Sequence, residues 1–198
     1  MREVPSQASP DVPVRHAHHG LATRGFSLIE LLVTLSVAAV LMGIAMPAFS
    51  SFVHDSRLSS EANTLVFDLN FARSEAVKLD TTVQVCASSD GATCVGTWSQ
   101  GWIVLCPANC PAGLGAPPVV LAAAPALTDG NTADEVLAGA NEISFLSTAQ
   151  TDATKLQFVF CDNRGAADGR DVEVNSIGGV ASASTAGHTV AGAALGAC

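Results

Sequence analysis

The sequence predicts an α+β fold in which one long N-terminal helix packs on a small antiparallel β domain of two sheets. Residues 26–49 form an almost unbroken apolar run, and residues 50–80 carry an apolar stripe at helical spacing. Residues 81–198 hold short alternating segments separated by turn residues, which is typical of strands. A chain of 198 residues has room for one domain and one membrane element.

The apolar run is long enough to cross a membrane. It extends from Phe26 to Phe49, and about 20 apolar residues at about 1.5 Å each span a bilayer core of about 30 Å. Glu30 interrupts the run near its start, and an acid within a spanning helix usually has a partner. A cleaved secretory signal would be shorter and free of charge. A plain signal anchor would explain the length of the run but not the acid.

The residues around this acid resemble a known processing signal. The string GFSLIE at residues 25–30, followed by the apolar run, resembles the prepilin-peptidase site of type IV pilins and type II secretion pseudopilins. The resemblance implies that a prepilin peptidase cuts between Gly25 and Phe26 and that Phe26 is then N-methylated. It also implies that Glu30 pairs with the N-terminal amine of a neighbouring subunit and sets the register of a filament.

The helix is predicted to continue to about residue 80. Pro47 lacks a backbone N–H, so we expect a kink there. The string FARSEAVK at residues 71–78 resembles the end of this helix in the GspH/FimT group of minor pilins and pseudopilins. The apolar stripe has steps of three, four or seven residues and consists of Leu58, Leu65, Leu69, Ala72, Ala76 and Leu79. We therefore expect this part of the helix to pack on the globular domain.

The β domain is predicted to begin directly after the helix. Trp98 and Trp102 could stack on nucleic-acid bases, but a role in a small core is favoured. The patterns VxVC, SxDGxxC and WSQGWIV again resemble the GspH/FimT group, whereas residues 107–150 diverge from it. Residues 107–141 are expected to form a long loop region with one edge strand at 118–121. Further strands are predicted at 81–86, 98–106, 143–146, 155–160 and 171–175.

Six cysteines follow the membrane segment, and an even count in an exported chain indicates disulfides. Sequence proximity favours pairing of Cys86 with Cys94 and of Cys106 with Cys110, which leaves Cys161 for Cys198. The spacing from Cys106 to Cys110 is one residue too long for a CxxC zinc knuckle.

Calcium is the second metal for which the sequence offers possible ligands. Asp129 and Asn131 fit the first two positions of a calcium loop, but Ala133 does not fit the third. No metal site and no cofactor are therefore predicted.

The net negative charge of the chain argues against nucleic acid as a partner. The formal net charge is −9, and removing residues 1–25 takes three of the nine basic and two of the eighteen acidic residues, which leaves about −10. Such an acidic chain is a poor binder of phosphates. Some FimT-like members bind DNA through a GRxR motif, and GRDV at residues 169–172 has only its first arginine. Arg164 and Arg170 are the candidates for DNA contact, and DNA binding is disfavoured.

These observations define the expected organisation of the chain. We expect a prepilin leader at 1–25, a membrane and filament-core helix at 26–49, its amphipathic continuation at 50–80 and a globular β domain at 81–198. The predicted location is the inner membrane, with a single pass and a periplasmic C-terminal domain, and then a pilus at the cell surface.

The expected function is structural. No P-loop, GxSxG, HExxH or dinucleotide-binding glycine pattern is found, so we predict no enzymatic activity. The chain is expected to be a minor pilin that enters a type IV pilus and assists its assembly or its tip function. A type II secretion pseudopilin and a DNA-binding tip pilin for natural transformation are the alternatives. Expected partners are other pilins or pseudopilins, the prepilin peptidase and the inner-membrane assembly platform.

Overall fold

The computed structural model describes residues 25–196 and 198, and within this range the side chains of residues 47 and 48 are not described. Except for Gly25, the predicted leader at 1–25 lies outside the described residues. Helix α1 runs from Leu28 to Leu79, a length of 52 residues, close to the predicted extent. Its assignment continues through Pro47, and the predicted kink there stays a prediction.

Both ends of α1 have local reasons to lie where they do. The Ser27 hydroxyl accepts a hydrogen bond from the N–H of Glu30 at 3.2 Å, which satisfies one of the free donors of the first turn. Glu30 in the first turn and Lys78 in the last complement the helix dipole. At the other end Asp80 has a φ of 49°, a left-handed conformation that terminates the helix.

Two antiparallel sheets follow the helix, as predicted. Sheet A has the strand order β3-β2-β1-β5, and sheet B has the order β4-β6-β7-β8. All neighbouring strands in both sheets are antiparallel. The described strands are β1 Val83–Ala87, β2 Trp102–Cys106, β3 Val119–Ala124, β4 Thr132–Glu135, β5 Glu142–Phe145, β6 Lys155–Cys161, β7 Arg170–Asn175 and β8 Val180–Ser182. The predicted fold class is confirmed.

One core joins the second part of the helix to both sheets. Five of the six predicted stripe residues are fully buried in it: Leu58, Leu65, Leu69, Ala72 and Ala76. Trp98 and Trp102 are also buried there, and each meets a phenylalanine of β6 edge to face, Phe158 at 4.8 Å and Phe160 at 6.5 Å between ring centroids. The tryptophans are core residues, as the favoured interpretation held, and do not form an exposed stacking platform.

Three details of the β domain differ from the prediction. The strand predicted from Trp98 begins at Trp102, because Trp98–Gln100 forms a short 3-10 helix. Strand β4 lies in the region that was expected to be a loop. Its sequence TADE has low strand propensity, but its second and fourth residues are buried against the domain. Strand β8 has three residues, too few to show a period. The edge strand predicted at 118–121 is found as β3.

Candidate functional site

The described part of the chain begins with exposed residues. Gly25 is exposed, and a Cβ built on it would meet nothing within 4 Å. The Phe26 side chain is 79% exposed. Among residues 25–196 and 198, no cationic side chain forms an ion pair with Glu30.

The first part of α1 presents apolar side chains that the described protein does not cover. Leu28, Leu35 and Ile44 are 77%, 60% and 69% exposed. By its length and composition the helix could cross a membrane, and none of its most apolar window is buried within the protein. A continuous apolar surface of this size marks contact with lipid or with other proteins.

Arg164 is one of the two candidates for DNA contact, and the structure places it in a network of carboxylates. Its guanidinium lies 2.8 Å from Asp162 and 2.8 Å from Asp55 of the helix, with Asp168 at 3.7 Å. Hydrogen bonding to Asp162 is the main cause that raises the pKa of Arg164. Burial raises the pKa of Asp162, but the hydrogen bonds and charge of Arg164 outweigh it and leave that pKa below its usual value. His54 lies 4.0 Å from the same carboxylate.

Arg170, the other candidate, is held in the same way. Its Nε donates to the Ser59 hydroxyl at 3.0 Å, and its Nη1 donates to the carbonyl of Asp168 at 2.9 Å. Only 17% of its side chain is exposed, and 22% of that of Arg164. The two arginines thus fasten the loop between β6 and β7 to the helix. Their geometry lends no support to phosphate binding, because the donors that would reach a phosphate already have partners.

The helix-end motif has a structural role that its spacing did not reveal. Arg73 donates to the carbonyl of Ala149 at 3.1 Å and to the carbonyl of Ile177 at 3.3 Å, so one side chain joins two loops that are far apart in sequence. Glu75 and Lys78 of the same motif form an i,i+3 ion pair at 2.9 Å.

Asp129, which fits a calcium loop by its position, and the nearby Glu135 of β4 both have partners within the protein. Asp129 forms an ion pair with Arg57 of the helix. Glu135 accepts hydrogen bonds from four backbone N–H groups, including those of Leu137 and Ala138. Within the described part of the chain, no group of three or more His, Cys, Asp or Glu residues is placed to hold a metal ion.

The structure pairs the six cysteines as sequence proximity favoured. The Cα atoms of Cys86 and Cys94 are 5.4 Å apart and those of Cys106 and Cys110 are 5.9 Å apart. Cys161 joins Cys198 across a sequence separation of 37, and so ties the chain end to β6. The first two bridges close short loops of sheet A, while the third restrains the tail over sheet B.

Sequence reasoning missed two further contacts between the helix and the β domain. Asp68 is almost fully buried and accepts a hydrogen bond from the indole N–H of Trp102 at 2.8 Å. Glu61 accepts from the backbone and hydroxyl of Thr128 and from the amide of Asn131. The sequence did contain one indication of these contacts. Both acids lie on or beside the apolar stripe of the helix, where a buried charged residue needs a partner from the β domain.

Two family models match separate parts of the chain. The family model described as type II transport protein GspH matches residues 61–178, and the prokaryotic N-terminal methylation motif matches residues 21–46. The second match spans the exposed segment around Gly25, Phe26 and Glu30. No curated protein matches the chain.

Three solved structures are similar. The crystal structure of the type IV minor pilin FimU of Pseudomonas aeruginosa has a TM-score of 0.53 and 23% identity, over 66% of this chain and 90% of that one. A second crystal form of FimU gives 0.49 and 24%, over 63% and 90%. The minor pseudopilin EpsH from the type 2 secretion system of Vibrio cholerae gives 0.44 and 14%, over 64% and 95%. At this level of identity, the first likeness supports the fold alone.

Proposed function

The chain belongs to the GspH family of type II transport proteins, and from that premise we propose that it is a minor pilin of a type IV pilus. The observation that carries the proposal is the exposed apolar surface of α1, which follows the exposed residues Gly25 and Phe26 and has the carboxylate of Glu30 in its first turn. The apolar surface and the carboxylate at its start both suit a subunit that is first held in lipid and later packed among other helices.

The physical logic concerns the two environments of Glu30. In lipid, an acid near the end of a spanning segment reaches the interface at modest cost. In a filament it is surrounded by apolar helices, and there it needs a cation. Cleavage after Gly25 would create that cation, because it frees an amine on Phe26. We propose that the amine of one subunit meets Glu30 of another and that the pair fixes their axial register.

The remaining site residues take parts in the same proposal. The segment 1–25 is the leader that is removed, residues 26–49 form the membrane and filament-core part, and 50–198 are carried on the outer side of the membrane. Pro47 would allow the helix to bend between these parts. The partners are other pilins, the prepilin peptidase and the assembly platform, and the role is structural, not enzymatic.

A type II secretion pseudopilin is the second candidate, and the description of the matching family favours it. Both candidates use the same helix and the same processing step, so the two differ in the machine that the subunit joins. A DNA-binding tip pilin is the weaker alternative, since Arg164 and Arg170 are bonded within the domain.

The test is complementation of a deletion strain with full-length variants. Wild type should restore pili, and Gly25→Leu should give an uncut chain that stays in the membrane. Glu30→Gln should be cut normally but enter few filaments. Glu142→Gln is the matched control, because it makes the same change at an exposed carboxylate of the β domain and should behave as wild type.

Three readouts separate the candidates: the mass of the N-terminal peptide, the number of pili by electron microscopy, and the amount of secreted protein. Loss of secretion with normal pili would support the pseudopilin. A deletion strain with normal pili and normal secretion would overturn both. A salt-dependent shift of DNA by the detergent-solubilised chain, weakened in Arg170→Ala, would favour the DNA-binding alternative.

A further inference from the structure

The two sheets have four outer edges, and they differ in how they are protected. An edge strand carries a row of unpaired N–H and C=O groups that another chain can pair with. Proteins usually block such edges with side chains, loops or charges, or keep them very short. The edges are formed by β3 and β5 in sheet A and by β4 and β8 in sheet B.

The outer edge of β5 is closed by a loop. The N–H of Ser144 donates to the Asp152 carboxylate at 3.2 Å, and the N–H of Asp152 donates to the carbonyl of Ser144 at 3.2 Å. A bridge between Phe145 and Thr151 continues the contact. This loop occupies the positions that a further strand would take.

The outer edge of β4 is closed by one side chain. The Ser99 hydroxyl donates to the carbonyl of Ala133 at 3.2 Å and accepts from the N–H of Ala133 at 2.9 Å. Strand β8 is protected by its length of three residues. After its last residue, the N–H of Ala183 donates to the carbonyl of Asp171 in β7.

Strand β3 has no closing loop, no blocking side chain and no charge, although a bulge at Leu121 interrupts its pairing with β2. It has six residues, VVLAAA, without a charge or a proline. In the part of the chain that the structure describes, its backbone forms no hydrogen bonds outside the pairing with β2. Val120 is 39% exposed, and Ala123 is exposed too. The strand lies within the 38 residues from 91 to 128, which contain no charged residue and no histidine in a chain of net charge −9.

We propose that the free edge of β3 is a strand-pairing interface, which receives an extended, uncharged segment of a different, non-identical subunit of the same filament. The proposal rests on the proposed function for the existence of the filament. On either side of the bulge at Leu121, the residues of β3 that do not bond to β2 direct their N–H and C=O groups to the open side, so backbone bonds would hold the added strand. The flanking side chains would select its composition.

The absence of charged residues from 91 to 128 bears on the chemistry of the added segment. An acidic or basic residue placed beside this edge would lose water and find no opposite charge between residues 91 and 128. Val120 and Ala123 instead offer exposed apolar surface, whereas Leu121 packs against the core. The segment that fits is therefore extended, uncharged and rich in β-branched residues.

A second copy of this chain fits the edge poorly. Subunits of a filament are related by a screw operation, so contacts between identical subunits join two different surfaces. A β3 edge would have to meet β4, β5 or β8 of the next copy. Two of these are closed, by Ser99 and by the Asp152 loop, and β8 is short. A strand from a non-identical subunit has no such restriction.

The experiment uses the full chain in its host with a photoreactive amino acid at Ala123. Ultraviolet light should give an adduct whose second component, identified by mass spectrometry, is a different filament subunit attached through an uncharged segment. Val120→Lys should reduce this adduct by at least about tenfold, because a charge beside an apolar strand is costly. Val120→Glu should reduce it as strongly, because the effect depends on charge and not on its sign.

Val136→Lys is the matched control, since it adds the same charge to an exposed valine directly after the closed strand β4 and should leave the adduct unchanged. Thermal unfolding of each variant shows whether the fold is intact. If the adduct is retained in either Val120→Lys or Val120→Glu, the proposal that the added segment is uncharged is overturned. If the adduct contains a second copy of this chain, the proposal that the partner is a non-identical subunit is overturned.

A second photoreactive position, Leu35 in the apolar part of α1, separates this proposal from the filament itself. If Leu35 forms adducts with other subunits and Ala123 forms none, the filament stands and the β3 interface is overturned. If neither position forms adducts, both proposals fail.

Discussion

Residues 28–52 and residues 58–76 of helix α1 have the same secondary structure and opposite surroundings. In the first stretch nearly every apolar side chain is exposed, with Leu35 at 60% and Phe52 at 67%. In the second stretch, one stripe of apolar residues is fully buried against both sheets. Contact with the β domain therefore accounts for the apolar stripe of the second stretch. The exposed apolar side chains of the first stretch call for contact with lipid or with other subunits.

The acids on the helix show the same division. Asp55, Glu61 and Asp68 each have a partner in the β domain: Arg164, the residues at 128–131, and Trp102. Glu30 has no ion-pair partner among the described residues. From residue 55 onward these three acids have partners in the β domain, whereas Glu30 forms no ion pair within the described part of the chain.

The largest expected difference between the two stretches concerns leucine. Leu65→Ala should lower the free energy of unfolding of the β domain by about 2–5 kcal/mol, because it leaves a cavity in a fully buried site. Leu35→Ala, the same change at an exposed site, should leave that free energy unaltered. Denaturant unfolding in detergent, followed by tryptophan fluorescence, measures both. Equal losses would show that the first stretch also belongs to the core.

A smaller difference is expected between two arginine contacts of the helix. Arg164→Ala removes the cation from Asp162, whose side chain is only 3% exposed, and should cost about 1.5–3 kcal/mol. Arg57→Ala breaks the pair with Asp129, in which both side chains are about half exposed, and should cost about 0–1 kcal/mol. The same unfolding measurement applies to both. A larger loss for Arg57→Ala would contradict the assignment of Arg164 as the fastening residue.

The sequence allowed the helix, its buried stripe and both tryptophans to be predicted because each rests on a period or on the volume of a side chain. It allowed the processing segment to be proposed because Glu30 interrupts an otherwise apolar run. The contacts of Arg164, Arg73 and Glu61 could not be predicted, since each joins residues 67 to 109 positions apart. Strand β4 was missed because pairing with β6 overrides its low propensity.

The smallest effect concerns the pH dependence that Asp68 imposes on the second stretch. Burial raises the pKa of Asp68, and the hydrogen bond from Trp102 offsets this only in part. The pH window begins at the pKa of an unfolded aspartate, about 4, and ends at the raised pKa of Asp68. Within it, the folded state keeps a proton that the unfolded state has lost. Stability should therefore fall as pH rises through this window and stay lower above it.

Asp68→Asn tests this prediction because the amide cannot ionise and its oxygen still accepts from the indole N–H of Trp102. The variant should be at least as stable as wild type near neutral pH, and its advantage should shrink as the pH is lowered toward about 4. The measured quantity is the difference in unfolding free energy between the two proteins at each pH, which cancels the titration of all other groups. A wild type that gains stability over the variant as pH rises would mean that the ionised carboxylate of Asp68 stabilises the fold, and that this acid, like Asp55 and Glu61, is held on the helix as a charge.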